Sequence, residues 1–98
     1  MGPIVVNYLF EVKDSSRFDL VKEILREYEG FAYSTGYFLS IQTTYSYDHR
    51  IFVLSQSVES IVKWNSFCQL NKNAIDKIFT NNLISKEFIQ FVHSFITF

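Results

Sequence analysis

Cysteine occurs once in these 98 residues, at Cys68, so no disulfide can close within the chain. Proline occurs once and glycine three times, which excludes collagen-like repeats and flexible linkers. Gly2, Gly30 and Gly36 are too scattered to form a phosphate cradle. No apolar run approaches the roughly 20 residues of a membrane-spanning helix. The first residues lack the basic, apolar and cleavage regions of a secretion signal. A cytoplasmic location with no membrane partner is therefore expected. Nine basic and ten acidic residues are spread along the chain without a basic block, which argues against nucleic acid as the main partner. No cluster with metal-ligand spacing and no nucleophile motif is present, so no metal site and no cofactor is expected.

What the chain has in excess is aromatic rings, eleven Phe and six Tyr among them, 18% of all residues with the single Trp. The length suits one domain spanning residues 1–98. A domain of this size has much surface for its volume and cannot easily hide that many rings. The excess points to an interface between copies of the chain, a lined pocket, or both.

Strand and helix periods alternate along the sequence. Ile4 to Val12 reads as a strand with Ile4, Val6, Tyr8, Phe10 and Val12 on one face and Val5, Asn7, Leu9 and Glu11 on the other. Phe18, Val21, Leu25 and Tyr28 follow at helical spacing, with Ser16 as the expected cap and Gly30 as the expected end. Between Phe31 and Gln56 the chain is β-prone. Tyr37, Leu39, Ile41, Thr43, Tyr45 and Tyr47 alternate with Phe38, Ser40, Gln42, Thr44 and Ser46, and Asp48-His49 forms the turn. A second helix is expected from a Ser57 cap through Trp64 and Phe67. Asn71-Lys72-Asn73 interrupts it before a further helical stretch. The last strand is expected at Glu87 to Ile96, with Ile89, Phe91, His93 and Phe95 on one face.

Strand, helix, two strands, helix, strand is the split βαβ order of a ferredoxin-like α+β fold with a four-stranded antiparallel sheet and both helices on one face. The other face needs cover. Tyr37, Tyr45, Tyr47 and the alternate rings of the first strand are the candidates for a two-fold dimer face.

The stretch Ile51-Phe-Val-Leu-Ser-Gln-Ser-Val-Glu-Ser-Ile-Val-Lys-Trp64-Asn-Ser-Phe67, with Asn7 in the first strand, resembles the antibiotic biosynthesis monooxygenase-like domains of the dimeric α+β barrel superfamily. The resemblance spans Ile4 to Ile96. It implies a homodimer and a cofactor-independent monooxygenase-like protein acting on a small aromatic or quinol-type molecule in a cleft between sheet and helices. Asn7 and Trp64 are the catalytic candidates it implies, with Leu9, Phe38, Phe67 and His93 lining the pocket. Part of that family degrades heme with an Asn, a Trp and a His. Asn7 and Trp64 match the first two, whereas the His position falls near Asn73-Ala74. Heme binding with altered ligation is thus a third possibility. A non-catalytic ligand-binding or interaction module on the same dimeric fold is the second.

The bland alternatives stand beside these roles. Asn7 can simply bond a neighbouring backbone group. A helical Trp usually packs in a core. His93 between two Phe is more often a packed residue than a base, His49 sits in a turn, and a lone Cys68 packs as a small hydrophobe.

Overall fold

The computed structural model describes residues 2–79 and 89–98. Four strands, β1 (Ile4–Val12), β2 (Phe38–Tyr45), β3 (Ile51–Val58) and β4 (Ile89–Thr97), form one antiparallel sheet in the order β2-β3-β1-β4. Among the described residues three α-helices, α1 (Phe18–Ser34), α2 (Ile61–Leu70) and α3 (Lys72–Phe79), cover one side of it. This is the ferredoxin-like α+β fold, with its second helical crossover broken in two at Asn71. The break has a local cause. The Asn71 backbone N–H and side-chain Nδ2 both donate to the Phe67 carbonyl, at 3.0 Å each.

The helix-facing side of the sheet is the core. Ile4, Val6, Phe10 and Val12 of β1 are buried there beside Phe52, Leu54 and Val58 of β3. From α1 come Phe18, Val21, Leu25, Tyr28 and Ala32, and from α2 come Trp64 and Phe67. Each large side chain removed from water contributes about 1.5–3 kcal/mol. The core also holds one polar pair. Tyr28 Oη donates to Gln56 Oε1, and Gln56 Nε2 donates to the Val6 carbonyl at 3.5 Å. Every described buried polar side-chain atom has a partner.

Several boundaries differ from the sequence reading. Asp14, not Ser16, caps the turn before α1, accepting from the Ser16 backbone N–H at 3.1 Å and from Ser16 Oγ at 2.7 Å. The helix runs through Gly30, because Ala32 beyond it is fully buried and holds the extra turn to the core. It ends instead at Ser34, and Gly36 just beyond the Thr35 cap takes a φ of 79°, the left-handed conformation that glycine adopts without strain. Ser60 rather than Ser57 caps α2, accepting from the Lys63 N–H at 3.2 Å, and so β3 extends to Val58. The expected start of the last strand at Glu87 lies outside the described residues.

Two register shifts change which rings share a face. In β2 the pairing slips between Phe38 and Ser40, so Phe38 joins the buried side with Ile41 while Leu39 stays exposed. In β1–β4 it slips between Leu9 and Phe10, so Phe91 lies opposite Phe10 whereas His93 lies opposite Leu9. The row Ile89, Phe91, His93 and Phe95 is thereby split between the two faces of the sheet. A bulge inserts one residue and reverses the alternation beyond it.

The rings proposed for a dimer face are also elsewhere. Tyr45 packs on Phe18 at 5.0 Å and on Phe52 at 5.8 Å, and Tyr37 packs on Phe67 at 6.0 Å. Tyr8 and Phe10 face the helices, and Tyr47 projects fully into solvent at the hairpin. The uncovered face instead carries Val5, Leu9, Ile51, Val53 and Phe95 with Asn7, Ser55 and Gln42 in a polar row.

Candidate functional site

An aromatic concavity between sheet and helices lies where β1 and β4 pass under α3. It has a volume of about 280 Å³ and is lined by Tyr8, Phe10, Ile75, Asp76, Phe79, Phe91 and Ser94. Each wall has a reason in the chain. Period 2 puts Tyr8 and Phe10 on the same side of β1. The β4 bulge brings Phe91 to that side while leaving Ser94 opposite Tyr8. Helical spacing puts Ile75, Asp76 and Phe79 on one face of α3.

Tyr8 is the centre of the ring cluster. Its ring meets Phe91 at 5.7 Å, Trp64 at 6.1 Å, Phe79 at 6.3 Å and Phe10 at 6.5 Å, all edge to face. Phe10 and Phe79 stack at 5.7 Å with 16° between planes. Such pairs add roughly 0.5–1.5 kcal/mol each beyond burial. They fix the Tyr8 ring within a narrow range of orientations. Burial pushes the Tyr8 phenol well above its ordinary value, with the neighbouring Cys68 thiol adding to the shift. Tyr28 moves the same way, through burial first and then through Tyr8 and Cys68. Burial raises the Cys68 thiol too. These groups keep their protons at neutral pH. Tyr8 is therefore a hydrogen-bond donor and not a ready base.

The residues singled out from sequence fall into two groups, and neither lines this cleft. Trp64, Phe67 and Phe38 form a packed cluster under α2, with Phe38 to Phe67 at 4.7 Å and Trp64 to Phe67 at 5.7 Å. Trp64 reaches the cleft only through its contact with Tyr8. Asn7, Leu9 and His93 lie on the opposite face of the sheet. Asn7 accepts from Ser55 Oγ at 2.8 Å, and its Nδ2 approaches the Phe95 and Val5 carbonyls at 3.5 and 3.4 Å. His93 stacks on Phe95 at 5.2 Å. Asn7 and Trp64 thus do not share the sheet–helix cleft in which the sequence reading joined them. The physical reason is that neighbours on a strand point to opposite faces, and Tyr8 took the inward position.

The cleft's lining was largely missed from sequence. The available signal was Tyr8 and Phe10 on the fully apolar face of β1. Phe91 carried none, because the bulge that turns it inward leaves no mark in the period. A second concavity of about 340 Å³ lies at the hairpin end, lined by Glu11, Lys13, Asp48 and Arg50 among others. Its charges are of both signs. Asp48 is already engaged, accepting from Ser46 Oγ at 2.6 Å, which with the Arg50 N–H holds its carboxyl below the usual range. His49, at φ 59°, stacks on Phe18 at 4.1 Å and closes this hairpin, well apart from the ring cleft. Among the described residues no group of three or more His, Cys, Asp or Glu is placed to hold a metal ion.

Solved structures share this fold over nearly the whole chain. A putative monooxygenase from Shewanella loihica superposes with a TM-score of 0.75 at 14% identity, covering 99% of this chain and 93% of that one. A putative antibiotic biosynthesis monooxygenase from Nitrosomonas europaea gives 0.71 at 11% identity, over 99% and 90%. A dimeric ferredoxin-like protein from an uncultured marine organism gives 0.63 at 12% identity, over 99% and 85%. At these identities the likeness is one of fold. No family model matches the chain, and no curated protein does. No helix among the described residues is long and apolar enough to cross a membrane.

Proposed function

We propose that the chain is a cofactor-independent monooxygenase-like protein that takes a small aromatic or quinol-type molecule into the cleft at Tyr8. The observation that carries this is the cleft itself: three Phe rings and one Tyr ring around a space for about one substituted ring, with the hydroxyl-bearing Tyr8 and Ser94 in its lining. Its position between sheet and helices supports the reading, as does the fold shared with proteins described as monooxygenases. In such a reaction the substrate supplies the electrons. A ring-activated CH₂ loses two hydrogens and becomes a carbonyl, one atom of O₂ enters the product, and the other leaves as water. The protein's part is to exclude bulk water, orient the ring and stabilise the oxyanion that precedes oxygen attack. Tyr8 Oη, held protonated, is the donor for that oxyanion. Trp64 braces Tyr8 from behind rather than touching substrate.

We also assign the uncovered sheet face to a homodimer. A face four strands wide and about eight residues long covers roughly 500 Å² per copy, so a pair buries about 1,000 Å², the lower bound of a stable interface. Asn7 and His93 would then lie at that interface. The dimeric state of a protein with the same fold supports this assignment.

Oxygen uptake with a panel of hydroquinones, phenols and anthrone-type ketones tests the catalytic reading. Uptake dependent on substrate and reduced about 100-fold in kcat/KM by Tyr8→Phe is expected, the usual loss on removing one oxyanion donor. Binding of the same compounds with no uptake would sink catalysis and leave a non-catalytic binding module. One observation favours that second reading: Asn7 and Trp64 stand on opposite sides of the sheet. Heme binding gains no support, since a porphyrin is far larger than a one-ring cleft whose described walls hold no His.

A further inference from the structure

The charge of the ligand is written in the walls of the cleft. Among the described residues, Asp76 is the single charged side chain that lines it. It is exposed at the rim, and no hydrogen bond or ion pair joins it to another described residue. Lys72 and Lys77 share α3 with it, and neither is part of the lining. The remaining polar groups are the hydroxyls of Tyr8 and Ser94. Four of the described lining side chains are aromatic, and aromatic faces carry negative potential that attracts cations. A carboxylate ligand would meet Asp76 and the ring quadrupoles with no cation among the described lining residues to offset them. An ammonium group gains from both.

We propose that the cleft selects an aromatic ligand carrying a positive charge, an arylalkylammonium, whose ring packs against Tyr8, Phe79 and Phe91 and whose ammonium pairs with Asp76. This rests on the reading of the cleft as the ligand site, and it names the class of molecule that the site takes. The ammonium lies at the α3 rim, near water, while the ring goes inward toward Tyr8. A short alkyl chain between ring and nitrogen gives the reach from the ring pocket to the rim.

Three probes of matched shape separate the possibilities: phenethylammonium, 2-phenylethanol and 3-phenylpropionate, titrated by calorimetry at low salt. The expected order is cation, neutral, anion. The cation should bind about tenfold more tightly than the alcohol, a gap suited to a partly exposed pair with ring contributions. Added salt should narrow that gap. Asp76→Asn should bring the cation-to-neutral ratio to within about twofold, and Asp76→Glu should restore it. Asp76 is exposed, so both variants are expected to fold, and thermal melts check this. Binding of 2-phenylethanol that is lost in Phe79→Ala, with no preference for the cation in the unaltered protein, overturns the charge assignment while keeping the cleft. A cation preference that survives Asp76→Asn overturns it as well. Failure of all three probes to bind overturns the cleft reading and this assignment together.

Discussion

Leu9 and Phe10 are consecutive, equally apolar, and live in different environments. Phe10 points to the helices, is 1% exposed, and touches Tyr8, Phe79 and Phe91. Leu9 points to the uncovered face, is half-buried, and sits between Val53 of β3 and His93 of β4. The helix side is finished within one chain. The other side carries Val5, Leu9, Ile51 and Val53 with no layer above them among the described residues. What the contrast teaches is that one strand serves two kinds of contact. Its even-numbered residues build the core and the ring cleft. Its odd-numbered residues build a partly apolar surface, the one assigned above to the proposed dimer.

The largest effect is expected on the even side. Phe10→Ala should cost about 3–5 kcal/mol in urea unfolding, because the ring has no exposed edge and its neighbours are rings that cannot collapse into the space. A loss under about 1 kcal/mol would mean that the α3 side is loosely packed, and the contrast with Leu9 would break. Next in size is Tyr28→Phe, which leaves Gln56 Oε1 without its donor in the core, at about 1–3 kcal/mol. The same residue gives a pH dependence. Burial raises the Tyr28 phenol, and the Tyr8 phenol with it, so the folded state favours their protonated forms. That contribution is fully present below the ordinary phenol value of about 10 and is lost as pH rises above it. Stability should therefore fall in alkaline solution, and Tyr28→Phe should flatten the fall. An alkaline loss in both Tyr28→Phe and Tyr8→Phe as large as in the unaltered protein would point to groups other than these phenols.

How much of this was legible depends on whether a signal is periodic. The strand limits of β1, the order of elements and the break near Asn71 were readable, since each follows from alternation, helical spacing or a residue that competes for backbone bonds. The faces of β2 and β4 were not. One extra residue near Phe38 and one near Phe91 reverse the alternation, and nothing in either segment marks the slip, since neither holds a Gly or Pro at the bulge. Those two slips moved Phe38 into the α2 cluster and Phe91 into the cleft. The candidate site suffered most from this. Asn7 and Trp64 were paired through a resemblance, whereas strand geometry sets Asn7 on the far side and gives its inward neighbour, Tyr8, the ring contacts. Gly30 misled for another reason: a helix ends where packing stops rewarding it, and Ala32 still had a buried place to fill.

The smallest effect on the folded chain, and the sharpest on the contrast, is expected from Leu9→Lys. In a single chain the long lysine stem lies along the sheet and its ammonium reaches water, so thermal stability of the monomer should change by less than about 1 kcal/mol. In a face-to-face dimer the same residue meets the apolar surface of the partner, and two-fold symmetry brings in a second lysine from the other copy. Burying unpaired ammonium groups there costs several kcal/mol, which is enough to dissociate an interface of about 1,000 Å². Light scattering reads the difference directly. Unaltered protein should run at twice the chain mass and Leu9→Lys at the chain mass, with near-identical circular dichroism. Asn7→Ala should give a milder version, since it leaves the Ser55 hydroxyl without its acceptor and removes two long bonds to the Val5 and Phe95 carbonyls, but buries no charge. If the unaltered protein is already monomeric, the assignment of the uncovered face to a homodimer is overturned.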